Sequence, residues 1–225
     1  MQCIGLFNRY WYIITEQEGR KVLYCISGYV SNRYRYVVLD HDFYQKNEFV
    51  CRTCGRTVAS CELQSWPPRM RLEGGSRYPD LLTVSVPFPE KCGMIVSERA
   101  LSAFRQEGIT GFETYPVDLA DPIAPRYFFL TVTGSVSLNH QAMHLRKKHV
   151  CADCGSFSWS RQKIGESVLD SASWDGSDLC KLTDYPNIFL CTSRVVDVIR
   201  GNNLKGFTVR SESEIFQPLK AVKIC

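Results

Sequence analysis

Cys51-Arg52-Thr53-Cys54-Gly55 and Cys151-Ala152-Asp153-Cys154-Gly155 are two copies of one short motif, a hundred positions apart. A CxxC turn lets two sulfurs reach the same ion, and the glycine behind the second cysteine lets backbone N–H groups turn toward the thiolates. Four thiols complete a tetrahedral set for zinc. Cys51, Cys54, Cys151 and Cys154 are therefore the candidate metal ligands, and zinc is the expected cofactor. One ion drawing two ligands from each motif would staple the two halves of the chain and contribute directly to folding. No His-x-Glu lies nearby, which favours a closed structural site over a catalytic one with a position open for water. Two alternatives stay open. Separate sites in each half would need histidines, with His140 or His149 in the second and His41 in the first; His144 reads as a surface position. Thiol redox chemistry would need each pair to follow a strand and open a helix, and the glycine behind each pair disfavours it.

Outward from the motifs, the second half echoes the first. Ile95-Val96-Ser97-Glu98-Arg99-Ala100-Leu101-Ser102-Ala103-Phe104-Arg105 aligns with Leu190-Cys191-Thr192-Ser193-Arg194-Val195-Val196-Asp197-Val198-Ile199-Arg200, so that Arg99 meets Arg194 and Arg105 meets Arg200. Each segment reads as a short apolar strand ending at an N-cap, Ser97 or Thr192. A helix of two to three turns follows, with Ala100, Leu101 and Phe104, or Val195, Val196 and Ile199, on its apolar face. Gly108 or Asn203 then supplies a left-handed stop. A Gly-Phe pair, Gly111-Phe112 or Gly206-Phe207, opens the next strand. Val37-Val38-Leu39 before the first motif resembles Val136-Ser137-Leu138 before the second.

The predicted fold is α+β. It has two related β-rich halves with short helices, each carrying a CxxCG zinc knuckle and joined by a shared zinc. Residues 37–125 form the first half and 126–225 the second. Residues 1–36 read as an N-terminal β-hairpin, with strands at 10–15 and 22–29 around Glu18-Gly19, and the whole packs as one unit. The stretch 64–89, rich in Pro, Gly and Arg, reads as a long loop up to a strand at 81–86. The Ser/Asp-rich stretch 156–186 reads as a second linker.

The 225 residues are 44% hydrophobic and 12% aromatic, enough for a sizeable core, and the net charge of +4 is too small for a dedicated nucleic-acid protein. Eleven cysteines would suit a secreted disulfide scaffold, but residues 1–12 carry no basic region followed by an apolar one. No stretch has the length of a membrane span. The expectation is a cytoplasmic chain with reduced thiols. Beyond the four ligands, Cys3, Cys25, Cys61, Cys92, Cys180, Cys191 and Cys225 lack ligand spacing, and most read as small buried hydrophobes.

No phosphate-binding glycine loop, GxSxG or HExxH is present, and the chain is not expected to be an enzyme. Asp40-His41-Asp42 has no nucleophile placed beside it and reads as a solvated turn. Arg99 and Arg194, just inside the helix caps, either pair with a carboxylate across the interface between the two related halves or bind an anion, and the structural role is the better reading. The run Arg146-Lys147-Lys148 beside the second knuckle would let a zinc-ribbon protein contact phosphates.

The paired CxxCG motifs, with Ile95-Val96-Ser97-Glu98-Arg99 and Gly111-Phe112-Glu113-Thr114-Tyr115-Pro116-Val117, resemble the bacterial double-CxxCG motif family best known from myxobacteria. The resemblance runs from about Val37 to Ile215. It implies a cytosolic immunity protein that binds and neutralises a cognate protein toxin, with structural zinc and with specificity in variable loops. Residues 64–77 and 156–178 are then the candidate recognition loops. Trp66, Arg69, Arg71, Trp159 and Trp174 are the residues of interface-forming type within them. The rival reading is a zinc-ribbon nucleic-acid-binding or regulatory protein.

Overall fold

Hydroxyl caps, left-handed stops and apolar patterning mark out the elements along the chain. The computed structural model describes residues 23–28, 33–39, 44–63, 69–82, 93–141, 147–156, 158–159, 169–184 and 188–210. The first part of the chain supplies β1 (Leu23–Gly28), β2 (Arg35–Leu39), β3 (Tyr44–Val50), β4 (Thr57–Leu63), β5 (Arg69–Gly74), β6 (Leu81–Leu82) and β7 (Gly93–Ser97). Helix α1 (Glu98–Gln106), β8 (Phe112–Pro116) and β9 (Asp118–Leu119) follow. The second part supplies β10 (Tyr127–Val132), β11 (Gly134–Leu138), β12 (Lys147–Lys148), β13 (Ser158–Trp159), β14 (Leu169–Asp170), β15 (Leu179–Leu182) and β16 (Phe189–Thr192). Helix α2 (Ser193–Gly201) and β17 (Phe207–Arg210) are the last of the described elements. Strand-rich with two α-helices among the described residues, the molecule is of the α+β class.

Both helices form where the cap and the apolar stripe place them. The Ser97 hydroxyl accepts from the Ala100 N–H at 3.1 Å, and Ala100, Leu101, Ala103 and Phe104 are buried. Gly108 takes φ +61°, and the Ile109 N–H reaches back to the Phe104 carbonyl at 2.9 Å. In α2 the buried face is Val195, Val196, Val198 and Ile199; Asn203 takes φ +50°, and the Leu204 N–H meets the Ile199 carbonyl at 2.9 Å. Both closures satisfy carbonyls that a helix end would otherwise orphan.

The strands form two main sheets, of order β6-β7-β10-β8 and β14-β11-β15-β16-β1-β17. All their pairings are antiparallel except β11 with β15. The helices lie between the sheets. One core joins α1 and α2 to Met94, Val96, Leu130 and Val132 on one side and to Ile26, Leu179, Phe189 and Cys191 on the other. Phe104 is fully buried, edge-on to Phe112 and Phe207 at centroid distances of 6.4 and 6.2 Å. The outer face of each sheet is covered too. Val37, Met70, Leu72, Leu82, Ile95, Tyr127 and Phe129 close one flank, where a third sheet, β2-β5-β9, packs. Leu23, Cys25, Val136, Leu138, Cys180, Leu182 and Leu190 close the other. Apolar residues therefore run almost unbroken along the central strands, because both faces are buried.

Two carboxylates sit at matching places in this frame. Asp80 is 6% exposed; it accepts from Ser97 Oγ at 2.7 Å, from Arg99 Nε at 3.0 Å and from the Lys205 backbone N–H at 2.7 Å. Asp178 is 8% exposed; it accepts from the Thr110 N–H and hydroxyl, both at 3.0 Å, from the Thr192 hydroxyl at 2.9 Å and from Arg194 at 3.2 Å. Arg99 and Arg194 do pair with carboxylates, but each with the one of its own half; what they reach across the interface are the Asn202 and Glu107 backbone carbonyls. Thr192 spends its hydroxyl on Asp178 and makes no side-chain cap bond. Each turn held by a carboxylate continues into a left-handed glycine pressed against backbone. A Cβ on Gly111 (φ +87°) would fall 2.1 Å from the Leu179 carbonyl oxygen, and one on Gly206 (φ +86°) 2.6 Å from that of Leu81.

Two expectations need revision. Residues 64–77 are not one loop: Arg69–Gly74 is β5, paired with β2 from Arg35↔Gly74 to Leu39↔Met70. Flanking Pro and Gly disguised a period-two pattern that buries Met70 and Leu72 and exposes Arg71. The linker 156–186 contains β14, a 3₁₀ turn at Ser171–Ser173 and β15. Of the N-terminal hairpin, the strand expected at 22–29 is present as β1, paired with β16 and β17. Its expected partner at 10–15 lies outside the described residues.

Removing a buried acceptor that serves several donors leaves them desolvated and unpaired. Asp80→Ala is expected to lower unfolding stability by about 3 kcal/mol in urea titration. Asp178→Ala should cost a similar amount, and Asp80→Asn, which keeps a carbonyl acceptor, should cost less.

Candidate metal centre

The first CxxCG motif closes a hairpin. β3 and β4 pair from Tyr44↔Leu63 to Val50↔Thr57, leaving residues 51–56 as its tip. The Cys51 N–H donates to the Arg56 carbonyl and the Gly55 N–H to the Cys51 carbonyl, both at 2.9 Å. The second motif repeats the turn between the short strands β12 and β13, with Cys151 N–H to the Ser156 carbonyl at 2.8 Å and Gly155 N–H to the Cys151 carbonyl at 2.9 Å. Gly55 and Gly155 take φ +68° and +67°. Neither motif opens a helix, which the thiol redox reading required.

The two tips meet. Cys51 Sγ lies 3.7 Å from Cys151 Sγ, Cys54 Sγ lies 3.6 Å from Cys154 Sγ, and all four sulfurs are within 4.8 Å of one another. Zinc–sulfur bonds of about 2.3 Å in a tetrahedron put sulfurs about 3.8 Å apart. The four thiols thus have the spacing to hold a metal ion, and none has to travel far to do so.

The cluster lies at the surface, with Cys51 and Cys151 turned inward at 4% and 6% exposure and Cys54 exposed. Hydrogen bonds tie the tips together around it. The Thr53 hydroxyl donates to the Asp153 carboxylate across the junction. Ser156 Oγ sits 3.0 Å from Cys154 Sγ and 3.5 Å from Cys54 Sγ.

These groups set the ionisation of the metal-free thiols. The Ser156 hydroxyl and the Arg56 N–H hold Cys54 down at about 6. The Ser156 hydroxyl and N–H lower Cys154 as well. For Cys51, the N–H groups of Cys54 and Thr53 favour the thiolate, but desolvation and the neighbouring Cys154 and Cys54 thiols outweigh them and push it up to about 11. Four sulfurs this close cannot all ionise alone, and a divalent cation at their centre removes that conflict.

The remaining site expectations fall elsewhere. Among the described residues the cluster contains cysteines only. His140 Nε2 is 2.9 Å from Asp184 Oδ1, and His149 is exposed with φ +51°. His41 and His144 lie outside the described residues. Cys25, Cys180 and Cys191 are buried at 0% exposure, and desolvation raises their thiols, as small core residues require. Arg71 is exposed on β5, 3.5 Å from Glu73. Trp174 is half-buried against the second flanking core, its indole donating to the Ser177 carbonyl at 3.1 Å. Arg69 and Trp159 are placed as residues of β5 and β13, and Trp66 and Arg146 lie outside the described residues. A cavity of about 710 Å³ opens at the start of α1, lined by Asp80, Arg99, Arg126 and Lys205 among others. Its cations are already engaged there: Arg99 pairs with Asp80, and Arg126 lies 3.3 Å from Glu98. The sequence reading missed Thr53, Asp153 and Ser156. Their only signal was position, the third place of each motif and the residue directly behind the second.

No family model matches the chain, and no curated protein matches it. No helix among the described residues is long and apolar enough to cross a membrane.

In metal-free protein at pH 7, Cys54 should be the fastest of the described thiols to alkylate, because it is exposed and already a thiolate. Its rate should fall as pH drops through about 6. Buried Cys25 should stay inert throughout. Site-resolved mass spectrometry after iodoacetamide pulses measures both, and equal rates at Cys54 and Cys25 would contradict the assignment.

Proposed function

We propose that the four cysteines hold one zinc ion that staples two related halves, in a cytoplasmic immunity protein that binds and neutralises a toxin. The observation that carries the metal part is the convergence of four sulfurs from two tips a hundred residues apart. Soft thiolates in tetrahedral array select zinc or iron, and redox-inert zinc suits a site with a structural task. With four protein ligands the ion has no position left for water or substrate, so the metal supports the fold and not a reaction.

The binding part rests on the double-CxxCG resemblance together with this closed site. Function has to be argued from the site and not from the fold class. A metal-stapled frame with exposed tips is suited to present a recognition surface, and the exposure of Arg71 on β5 supports counting it in that surface.

Elemental analysis should find one zinc per chain. Cys54→Ser and Cys154→Ser should each lose it, although the two residues belong to different halves; two ions, or an ion retained by either variant, would separate the halves. Neutralisation is tested by co-expressing the chain with the toxin encoded beside its gene. Growth rescue and a 1:1 complex on gel filtration are expected. Absence of protection, with retention on DNA that weakens steeply with salt, would instead favour phosphate contacts by Lys147 and Lys148 of β12.

A further inference from the structure

The strand order of the two sheets contains a crossing that the sequence repeat does not reveal. β10 lies between β7 and β8, although it follows both in the chain. β1 lies between β16 and β17, although it precedes both by more than 150 residues.

The two arrangements agree residue for residue. Phe129 faces Ile95 on one side and Tyr115 on the other; Cys25 faces Leu190 and Arg210. Ile95 and Leu190, and Tyr115 and Arg210, are the pairs that the helix alignment equates. On the outer edge Leu81 faces Val96 where Leu179 faces Cys191. β2 meets β5 at Leu39↔Met70, and β11 meets β14 at Leu138↔Leu169. The flanking cores match as well, with Val37, Leu82, Ile95, Tyr127 and Phe129 standing where Val136, Cys180, Leu190, Leu23 and Cys25 stand.

β1 is therefore the counterpart of β10, and each sits in the sheet built by the other half. The carboxylates cross in the same sense: Asp80 holds the Lys205 N–H of the second half, and Asp178 holds the Thr110 N–H of the first. The sulfur cluster takes two atoms from each side.

We infer that the chain is a strand-exchanged dimer of a unit of about a hundred residues, joined into one polypeptide through the turn at 120–126. The surface each half presents fits a second copy of that unit. It supplies a slot between two strands for the partner's first strand, a carboxylate for the partner's post-helix turn and two thiols for a shared ion. A one-residue slip in any of these strands would turn its core face outward, so coincidence of register at every pair is a demanding match. Exchange of an identical element between protomers is a recognised route to dimers.

Ile123, 78% exposed in the connecting turn, is the place to cut. A protease recognition sequence inserted there in the full chain allows cleavage after folding. The two pieces should co-elute as one 1:1 species and unfold in a single transition. Separation into two folded pieces, or two independent transitions, overturns the inference. If the insertion prevents folding, cross-strand nuclear Overhauser contacts in the uncut protein decide. Contacts of Cys25 with Arg210 and of Phe129 with Tyr115 sustain the exchange; contacts of Cys25 with Tyr115 and of Phe129 with Arg210 overturn it.

Discussion

A carboxylate taken out of water must be given partners, and this molecule depends on where Asp80 and Asp178 find theirs. Each collects the hydroxyl at its own half's helix start, the arginine two residues further along and a backbone N–H from the other half. One acceptor thus fixes three things together: the end of a strand, the first turn of a helix and the turn behind the opposite helix. The arginines remain about half exposed, with side chains at 56% and 52%, so water screens much of the charge attraction. What is costly to lose is the buried acceptor.

The glycines at 111 and 206 belong to the same constraint. For the Thr110 and Lys205 N–H groups to reach the carboxylates, the chain has to press against the backbone of β15 or β6. Only a residue without Cβ fits at that distance with positive φ. Packing follows from this placement. Once the post-helix turns are pinned across the molecule, Phe112 and Phe207 are both delivered into edge-on contact with Phe104, and the two helices share one core.

Much of this was legible in the sequence, and what was not has a common cause. Both helices, their capping positions and their left-handed stops could be read because those signals are local: Ser97, Gly108 and Asn203 act on neighbours within a turn. The four sulfurs could be read because metal chemistry fixes their number and spacing. β5 was hidden by the Pro and Gly that flank it, although Met70 and Leu72 alternate with charged residues as a half-buried strand should. Asp80 and Asp178 carry no local mark, since their partners lie up to 125 residues away. The placement of β1 and β10 was equally silent. Each presents apolar residues on both faces, and such a strand fits either of two sheets with the same register.

The crossing gives the four-cysteine cluster a place in the fold that its chemistry alone does not specify. The carboxylates fasten the halves near the helix starts, by bonds that form only when the strands on both sides are in place. The thiol tips meet on separate hairpins, and the second stands on short strands: β12 and β13 have two residues each, and a two-stranded ribbon of that length has little stability of its own. The first tip stands on a hairpin of two seven-residue strands, whereas the second is tied to it by the Thr53–Asp153 and Ser156 contacts and would gain further order from a bound ion. A metal ion held at that point would therefore do most for the half least able to order its own tip. The bonds around the cluster reflect this, since the serine that lowers the outer thiols of both knuckles belongs to the second.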